Sequence, residues 1–194
     1  MRYLDHPNII SMDCVYETKN SFYIILELLQ GGNLKHIIKE KGVLSIQNCT
    51  MIMKAVLKAL SHLYENKILH RDIKPENILF RRNSEKIKEE DVVLADFGFA
   101  VLSNKVPFHH PRCGTPGYVA PEILKLKNKN SGYGHGCDIF SMGITFYHML
   151  CGRLPYDAKN HEDLMRKNGD CIFDFVGNKK FNSSSCSPGI YIKF

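Results

Sequence analysis

The stretch ILHRDIKPENILF, residues 68–80, encloses a charged cluster between two short apolar ends. The ends, 68–69 and 78–80, have the composition of short buried strands. The cluster between them comprises His70, Arg71, Asp72, Lys74, Glu76 and Asn77. A carboxylate, a cation and an amide held together from both sides indicate a reactive site.

Three oxygen-bearing side chains indicate which chemistry this site could perform. Asp72 is followed five positions on by Asn77 and, after a hairpin-length insertion, by Asp96. They supply a carboxylate base, an amide oxygen and a second carboxylate, and Mg²⁺ prefers such oxygen ligands, usually shared with substrate phosphates. Lys74 adds a cation suited to the charge that develops on a transferring phosphoryl group.

Composition narrows the class of protein. The 194 residues are 44% hydrophobic with charges of both signs, which predicts a globular domain. The net charge of +6 is modest and the basic residues are scattered, so we expect no nucleic-acid partner. The apolar run 139–150 is too short to span a bilayer and predicts a buried helix, with no membrane partner. Seven cysteines without a C-x-x-C pair indicate reduced thiols in the cytoplasm, with the nucleus as the alternative.

The hydrophobic pattern predicts a mostly helical chain with short strands at the polar motifs. Asn33 and Gly42 delimit a helix over 34–40, and Ser45 caps a longer one that ends near Asn66. The further elements expected are a strand over 22–29, a strand over 92–95, a central helix over 138–151 and a helix over 161–167 capped by Asn160. We expect a loop from 98 to about 122, and no clear period after about 175.

Three long motifs, in this order, carry a family resemblance: HRDIKPEN (70–77), DFGFA (96–100) and GTPGYVAPE (114–122). They resemble those of the eukaryotic protein kinases. Lys74 and GTPGY favour the serine/threonine branch. MRYLDHPNII, LELLQGGNL and GRLPY are most similar to the calcium/calmodulin-dependent and calcium-dependent kinase group. The fold implied is α+β, with a mostly helical C-lobe, short hairpin strands and the hinge-side strands of an incomplete N-lobe.

The resemblance implies ATP and Mg²⁺ as cofactors and assigns roles at the reacting end of the nucleotide. Asp72 would accept the proton of the substrate hydroxyl, and Lys74 would contact the γ-phosphate. Thr115 would bridge Asp72 and Lys74 in the substrate-facing loop. Asn77 and Asp96 would hold the metal.

The resemblance also implies an adenine site and a protein substrate with a serine or threonine acceptor. Glu27 and Leu29 would offer backbone groups to adenine, with Leu26 behind the pocket and Leu79 on its floor. Glu76, in the same motif as Asp72, would face a basic residue of the substrate. Its usual acidic companion is replaced by Asn33, which weakens the expected preference for arginine.

Other motif residues have structural readings. We expect His70 to pack against Phe97, and Asp138 to anchor the backbone around His70. By the same resemblance, Met1 and Met12 would belong to the column of packed side chains that includes His70 and Phe97. We expect His109 and His110 to be solvated. Residues 132–136, rich in glycine, are interpreted as the loop that leads into the central helix.

The family elements that the sequence lacks lead to further expectations. It contains no Gly-rich phosphate loop and no lysine in a V-A-I-K context, so we expect a partial kinase domain over 1–175. Its parts would be an N-lobe remnant (1–26), the hinge (27–32) and the C-lobe (33–175), with a divergent or unstructured tail over 176–194. Glu122 would be a buried carboxylate without an arginine partner.

Two function classes remain open. One is ATP- and Mg²⁺-dependent phosphorylation of protein serine or threonine, with calcium/calmodulin regulation through regions outside this chain. The other is an inactive, pseudokinase-like binding module or a gene fragment. Residues 1–194 alone are expected not to phosphorylate a protein. Activation is expected without the usual loop phosphate, because Ser103 is the only hydroxyl residue between Gly98 and Thr115.

Overall fold

The computed structural model describes residues 4–103, 112–126 and 132–174. The helices are α1 (Leu34–Lys41), α2 (Ile46–Glu65), α3 (Pro121–Leu124), α4 (Gly136–Cys151) and α5 (His161–Gly169). The strands are β1 (Met12–Glu17), β2 (Phe22–Leu26), β3 (Ile68–Leu69), β4 (Ile78–Phe80), β5 (Val92–Leu94) and β6 (Val101–Leu102). Pro75–Asn77 and Glu89–Asp91 are 3₁₀ turns. The α+β class predicted from the motifs, mostly helical with short hairpin strands, is confirmed.

The strands form three separate antiparallel pairs, β1–β2, β3–β6 and β4–β5. In the β4–β5 pair Ile78 lies opposite Leu94. This register places the end of the 70–77 loop beside the residues that follow β5. The strand predicted over 22–29 ends at Leu26, and its partner β1 was not predicted.

The core lies between α2 and α4. Ser45 Oγ accepts a hydrogen bond from the Asn48 amide, Asn33 Oδ1 accepts one from the His36 amide and Asn160 Oδ1 accepts one from the Asp163 amide, so all three predicted N-caps are confirmed. One face of α2 is buried at 3.6-residue spacing. Ile52, like Met142 and Met149 of α4, is almost fully excluded from solvent. Truncating such a side chain to alanine costs about 2–5 kcal/mol of stability.

Glycine at position 31 is required by a close backbone approach. The Gly31 amide donates to the Phe80 carbonyl (2.8 Å), and the Phe80 amide donates to the Gly32 carbonyl (3.0 Å). A Cβ at position 31 would lie 2.4 Å from the Arg82 carbonyl oxygen. The segment after β2 is therefore held directly against β4.

Several expectations need correction. Glu122 is exposed on the first turn of α3, so the expectation of a buried, unpaired carboxylate was wrong. Strand β6 lies inside the predicted loop and helix α3 begins at the end of that loop; neither element was predicted. Helix α4 begins two residues before its predicted start, and α5 ends two residues after its predicted end. Met1, His109, His110 and the tail 176–194 lie outside the described residues. In the described part of the chain, no helix is long and apolar enough to cross a membrane.

Candidate active site

The carboxylate of Asp72 is the centre of the site. The residue is only 3% exposed. Its Oδ1 accepts a hydrogen bond from Thr115 Oγ1 (2.7 Å), while Oδ2 receives the Lys74 ammonium (2.7 Å) and the Asn77 amide nitrogen (3.0 Å). A carboxylate offers about four acceptor positions, and three are filled here. One position remains for a further donor such as a substrate hydroxyl.

Thr115 ties two of these groups together. Lys74 Nζ donates to Thr115 Oγ1 (2.8 Å), and the same hydroxyl donates to Asp72. The Lys74 side chain is 18% exposed, so its charge acts in a partly desolvated setting. The structure thus brings Asp72, Lys74 and Thr115 together in the arrangement expected from the motifs.

Asn77 and Asp96 present the oxygens expected to bind a metal. Both hydrogen bonds found for the Asn77 side chain use its amide nitrogen, one to Asp72 Oδ2 and one to the Asp72 carbonyl (2.8 Å). The amide oxygen is therefore available as a ligand. The Ala95 amide donates to the Asn77 carbonyl (2.9 Å), which brings the backbone just before Asp96 beside Asn77.

Asp96 has the backbone and exposure of a ligand residue. Its φ is +59°, a left-handed conformation that aspartate tolerates better than most residues. The side chain is exposed, and its Oδ1 accepts a bond from the Gly98 amide (3.1 Å). An amide oxygen and a carboxylate match the hard-oxygen preference of Mg²⁺. Within the described ranges no cluster of three or more His, Cys, Asp or Glu could form a protein-only metal cage, so further ligands would have to come from phosphate or water.

The expected adenine site is lined from two directions. Leu29 and Leu79 pack on the buried cluster of Ile10, Val93 and Ala95. Leu26, by contrast, is 38% exposed at the end of β2. Leu29 and Leu79 therefore lie against one buried cluster, and their contact with adenine stays a prediction.

Glu27 is engaged inside the protein by its side chain and its amide. Its carboxylate accepts from the Ser11 amide (2.9 Å) and pairs with Arg81. Its own amide donates to the Ser11 carbonyl (3.1 Å). Only the carbonyl of Glu27 is thus left to receive a hydrogen bond from adenine, whereas no hydrogen bond within the described residues engages the Leu29 amide.

Glu76 differs from its predicted setting. It was expected to face a basic residue of the substrate, but its Oε1 lies 2.6 Å from Lys35 Nζ of the same chain. The reason is the packing of α1 against the turn Pro75–Asn77. The cation expected from a substrate is supplied by the protein itself.

His70 has the structural role expected of it. It is fully buried and makes an edge-to-face contact with Phe97, with ring centroids 4.9 Å apart. Nε2 donates to the Ala95 carbonyl (3.0 Å), so the neutral ring accepts at Nδ1 from the Asp72 amide (3.3 Å). Burial lowers the pKa of His70. The uncharged ring of His70 therefore holds the Asp72 backbone in position.

Asp138, the third residue of α4, anchors the backbone as predicted. Its two carboxylate oxygens accept from the amides of His70 (2.8 Å) and Arg71 (2.7 Å). Arg71 has a φ of +71°, a strained conformation for a residue with a side chain. The buried carboxylate of Asp138 holds that backbone in place.

The partners of the Arg71 side chain were not found from the sequence. Its Nε donates to the Phe99 carbonyl (2.6 Å), and its Nη1 donates to the Tyr133 hydroxyl (2.9 Å). Cys113 Sγ lies 3.5 Å from the same hydroxyl. No motif marks Tyr133, which lies 62 positions from Arg71, so only the fold reveals the contact.

The family assignment follows from comparison with known proteins. The model of the protein kinase domain matches residues 1–188. The chain belongs to the protein kinase family. Calcium-dependent protein kinase 5 of Plasmodium berghei is 40% identical over 178 residues, which cover 90% of this chain and 30% of that kinase.

Two further relatives are also protein kinases. A probable myosin light chain kinase of Dictyostelium discoideum is 37% identical over 90% of this chain and 43% of that protein. Human calcium/calmodulin-dependent protein kinase type IV is 37% identical over 89% of this chain and 35% of that protein. The chain therefore spans 30 to 43% of the length of these three relatives.

Proposed function

We propose that this protein transfers the γ-phosphate of ATP to serine or threonine hydroxyls of proteins, with Mg²⁺ as cofactor. The arrangement around Asp72 supports this most directly. Three donors fix its carboxylate and leave one acceptor position beside the oxygens of Asn77 and Asp96. A substrate hydroxyl in that position would be oriented for in-line attack on a phosphate.

Each residue has a distinct task in this proposal. Asp72 orients the attacking hydroxyl and receives its proton. Lys74, fixed by Thr115, presents positive charge to the phosphoryl oxygens at the moment of transfer. Asn77 and Asp96 would hold Mg²⁺, which neutralises phosphate charge when bound.

Specificity for serine and threonine, and regulation by calcium, are the finer parts of the proposal. Lys74, two positions after Asp72, and the GTPGY motif support the serine/threonine branch over tyrosine kinases. The names of the relatives support control by calcium or calmodulin, acting through parts of the protein other than this domain.

The test is Asp72→Asn in the protein that contains these 194 residues. The asparagine keeps the shape of the side chain and removes the base. We expect kcat to fall by about 10²–10⁴-fold while ATP binding stays unchanged. Asp5→Asn, the same change at an exposed carboxylate, is the matched control and should leave both values as they are. Unchanged turnover in Asp72→Asn would overturn the proposed function.

A further inference from the structure

An internal ion pair lies beside the candidate active site, between α1 and the turn Pro75–Asn77. Lys35 Nζ and Glu76 Oε1 are 2.6 Å apart, and the side chains are 61% and 30% exposed. The second carboxylate oxygen, Glu76 Oε2, is buried and has no hydrogen-bond partner among the described residues. Such an oxygen is costly to leave unpaired, so the site calls for one more donor.

Tyr118 and His148, the two residues of the neighbouring segments on which Glu76 acts, add no charge that would attract a cation. The Tyr118 hydroxyl lies 2.7 Å from His148 Nδ1, and Glu76 acts electrostatically on both residues. Burial lowers the pKa of His148 and raises that of Tyr118, so both are neutral at pH 7. Asn33 adds an uncharged amide whose oxygen caps α1. The charges of Lys35 and Glu76 therefore cancel in an otherwise neutral patch.

This patch lies within reach of a peptide bound at Asp72. Glu76 follows Asp72 by four residues in the same loop, and Tyr118 follows Thr115 by three. Thr115 is bonded to Asp72 itself. Four residues of chain span at most about 14 Å, so a residue flanking a hydroxyl at Asp72 can reach Glu76.

We propose that Lys35 is a specificity-determining residue, which neutralises Glu76 from within the chain and selects substrates with a neutral hydrogen-bond donor at the position that contacts Glu76. The inference rests on the proposed function and names the substrate class of that site. Arginine is disfavoured there because its guanidinium has to displace the Lys35 ammonium or lie beside it. A neutral amide or hydroxyl can donate to the partly exposed Glu76 carboxylate without displacing the Lys35 ammonium.

The test uses paired peptides and a binding readout. Fluorescein-labelled peptides with a central serine carry either arginine or citrulline, its uncharged isostere, at each flanking position in turn. Their dissociation constants are measured by anisotropy on the wild-type protein, Lys35→Met, Glu76→Gln and the double variant. Lys39→Met removes an exposed lysine one turn along the same helix and is the matched control.

The expected result is a change in one ratio. The wild-type protein and Lys39→Met bind the citrulline peptide about two- to threefold more tightly than the arginine peptide at one flanking position. Lys35→Met binds the arginine peptide about three- to fivefold more tightly at one flanking position, because a partly exposed pair of this kind contributes a few-fold in affinity. The double variant returns the ratio to one, since the gain requires the Glu76 carboxylate.

Other outcomes overturn the inference. They are an unchanged ratio in Lys35→Met, a strong arginine preference in the wild-type protein, or no peptide binding by any variant that is folded by circular dichroism. Phosphate transfer is measured separately on the same samples. A shifted ratio without Asp72-dependent transfer contradicts only the proposed function, and transfer with an unshifted ratio contradicts only the role of Lys35.

Discussion

Thr115 donates a 2.7 Å hydrogen bond to the carboxylate of Asp72, from 43 positions further along the chain. Its hydroxyl also accepts a bond from Lys74. One side chain therefore fixes the distance between the proposed base and the proposed phosphate-binding cation. It also holds the segment that contains Thr115 against the loop formed by residues 70–77.

Removing the Thr115 hydroxyl should slow the chemical step. In Thr115→Val the side chain keeps its shape but leaves Asp72 and Lys74 without their shared partner. Hydrogen bonds to charged groups contribute about 1.5–3 kcal/mol, so we expect kcat to fall by about ten- to a hundredfold with the KM for ATP little changed. Thr115→Ser, which keeps the hydroxyl, should retain most of the activity. Equal turnover in the valine and serine variants would contradict this role.

The site could be predicted where its chemistry is local in sequence. Asp72, Lys74 and Asn77 lie within six consecutive positions, so their types and spacing alone indicated phosphate chemistry. The Lys35–Glu76 pair joins residues 41 positions apart and depends on how α1 packs. Lys35 is an ordinary surface residue in the sequence, and no local pattern distinguishes it from a solvated charge.

The fold shows the same division. Helices α1 and α2 were predicted with their caps, because each begins with a side chain that accepts a backbone hydrogen bond. Strand β1 was missed because Asp13 and Glu17 interrupt its apolar residues, and its hairpin with β2 is largely exposed. Pairing across the hairpin, rather than burial, defines that strand.

Tyr133 should substitute for a phosphate as a partner of Arg71. Residues 106–113 contain no serine, threonine or tyrosine, and the Arg71 guanidinium is bound by the Tyr133 hydroxyl and the Phe99 carbonyl. We expect phosphatase treatment to leave activity unchanged. Tyr133→Phe should lower activity by about tenfold or more, because one hydrogen bond to a charged group contributes about 1.5–3 kcal/mol.

The control for Tyr133→Phe is Tyr64→Phe, which removes the hydroxyl of an exposed tyrosine on α2. It should behave as the wild-type protein in the same kinase assay. Mass spectrometry of the active protein completes the test. Activity that disappears on phosphatase treatment, traced to a phosphate on Ser103, would show that the hydroxyl of Tyr133 is not sufficient.

Asp138 should be important for stability without touching substrate. The two carboxylate oxygens of Asp138 accept hydrogen bonds from the His70 and Arg71 amides. In Asp138→Asn one of these oxygens becomes an NH₂ group, which cannot accept a hydrogen bond from the N–H group it faces. We expect the free energy of unfolding to fall by about 3 kcal/mol in urea denaturation. Asp170→Asn, at a carboxylate whose side chain is 49% exposed, should change it by less than about 0.5 kcal/mol. A stable Asp138→Asn variant would mean that other contacts hold Arg71 in its left-handed conformation.

His70 should make the protein less stable as the solution becomes acidic. Burial lowers its pKa below the ordinary value of 6.5, and its Nδ1 already accepts from the Asp72 amide. Below pH 6.5 the unfolded chain binds a proton at this residue that the folded chain does not. Stability from His70 is therefore fully present above about pH 7.5 and is lost as the pH falls. His148, whose pKa burial also lowers, acts in the same direction.

The measurement is the free energy of unfolding of wild-type protein and His70→Phe at pH 7.5 and 5.5. Phenylalanine keeps the ring contact with Phe97 but has no titrating nitrogen. It should be less stable at pH 7.5 by about 1–3 kcal/mol, because the Ala95 carbonyl and the Asp72 amide lose their partner. Its loss between the two pH values should be smaller than that of the wild-type protein by up to about 1.4 kcal/mol, the effect of one histidine over this range. An identical pH dependence in His70→Phe would show that His70 does not remain neutral in the folded protein.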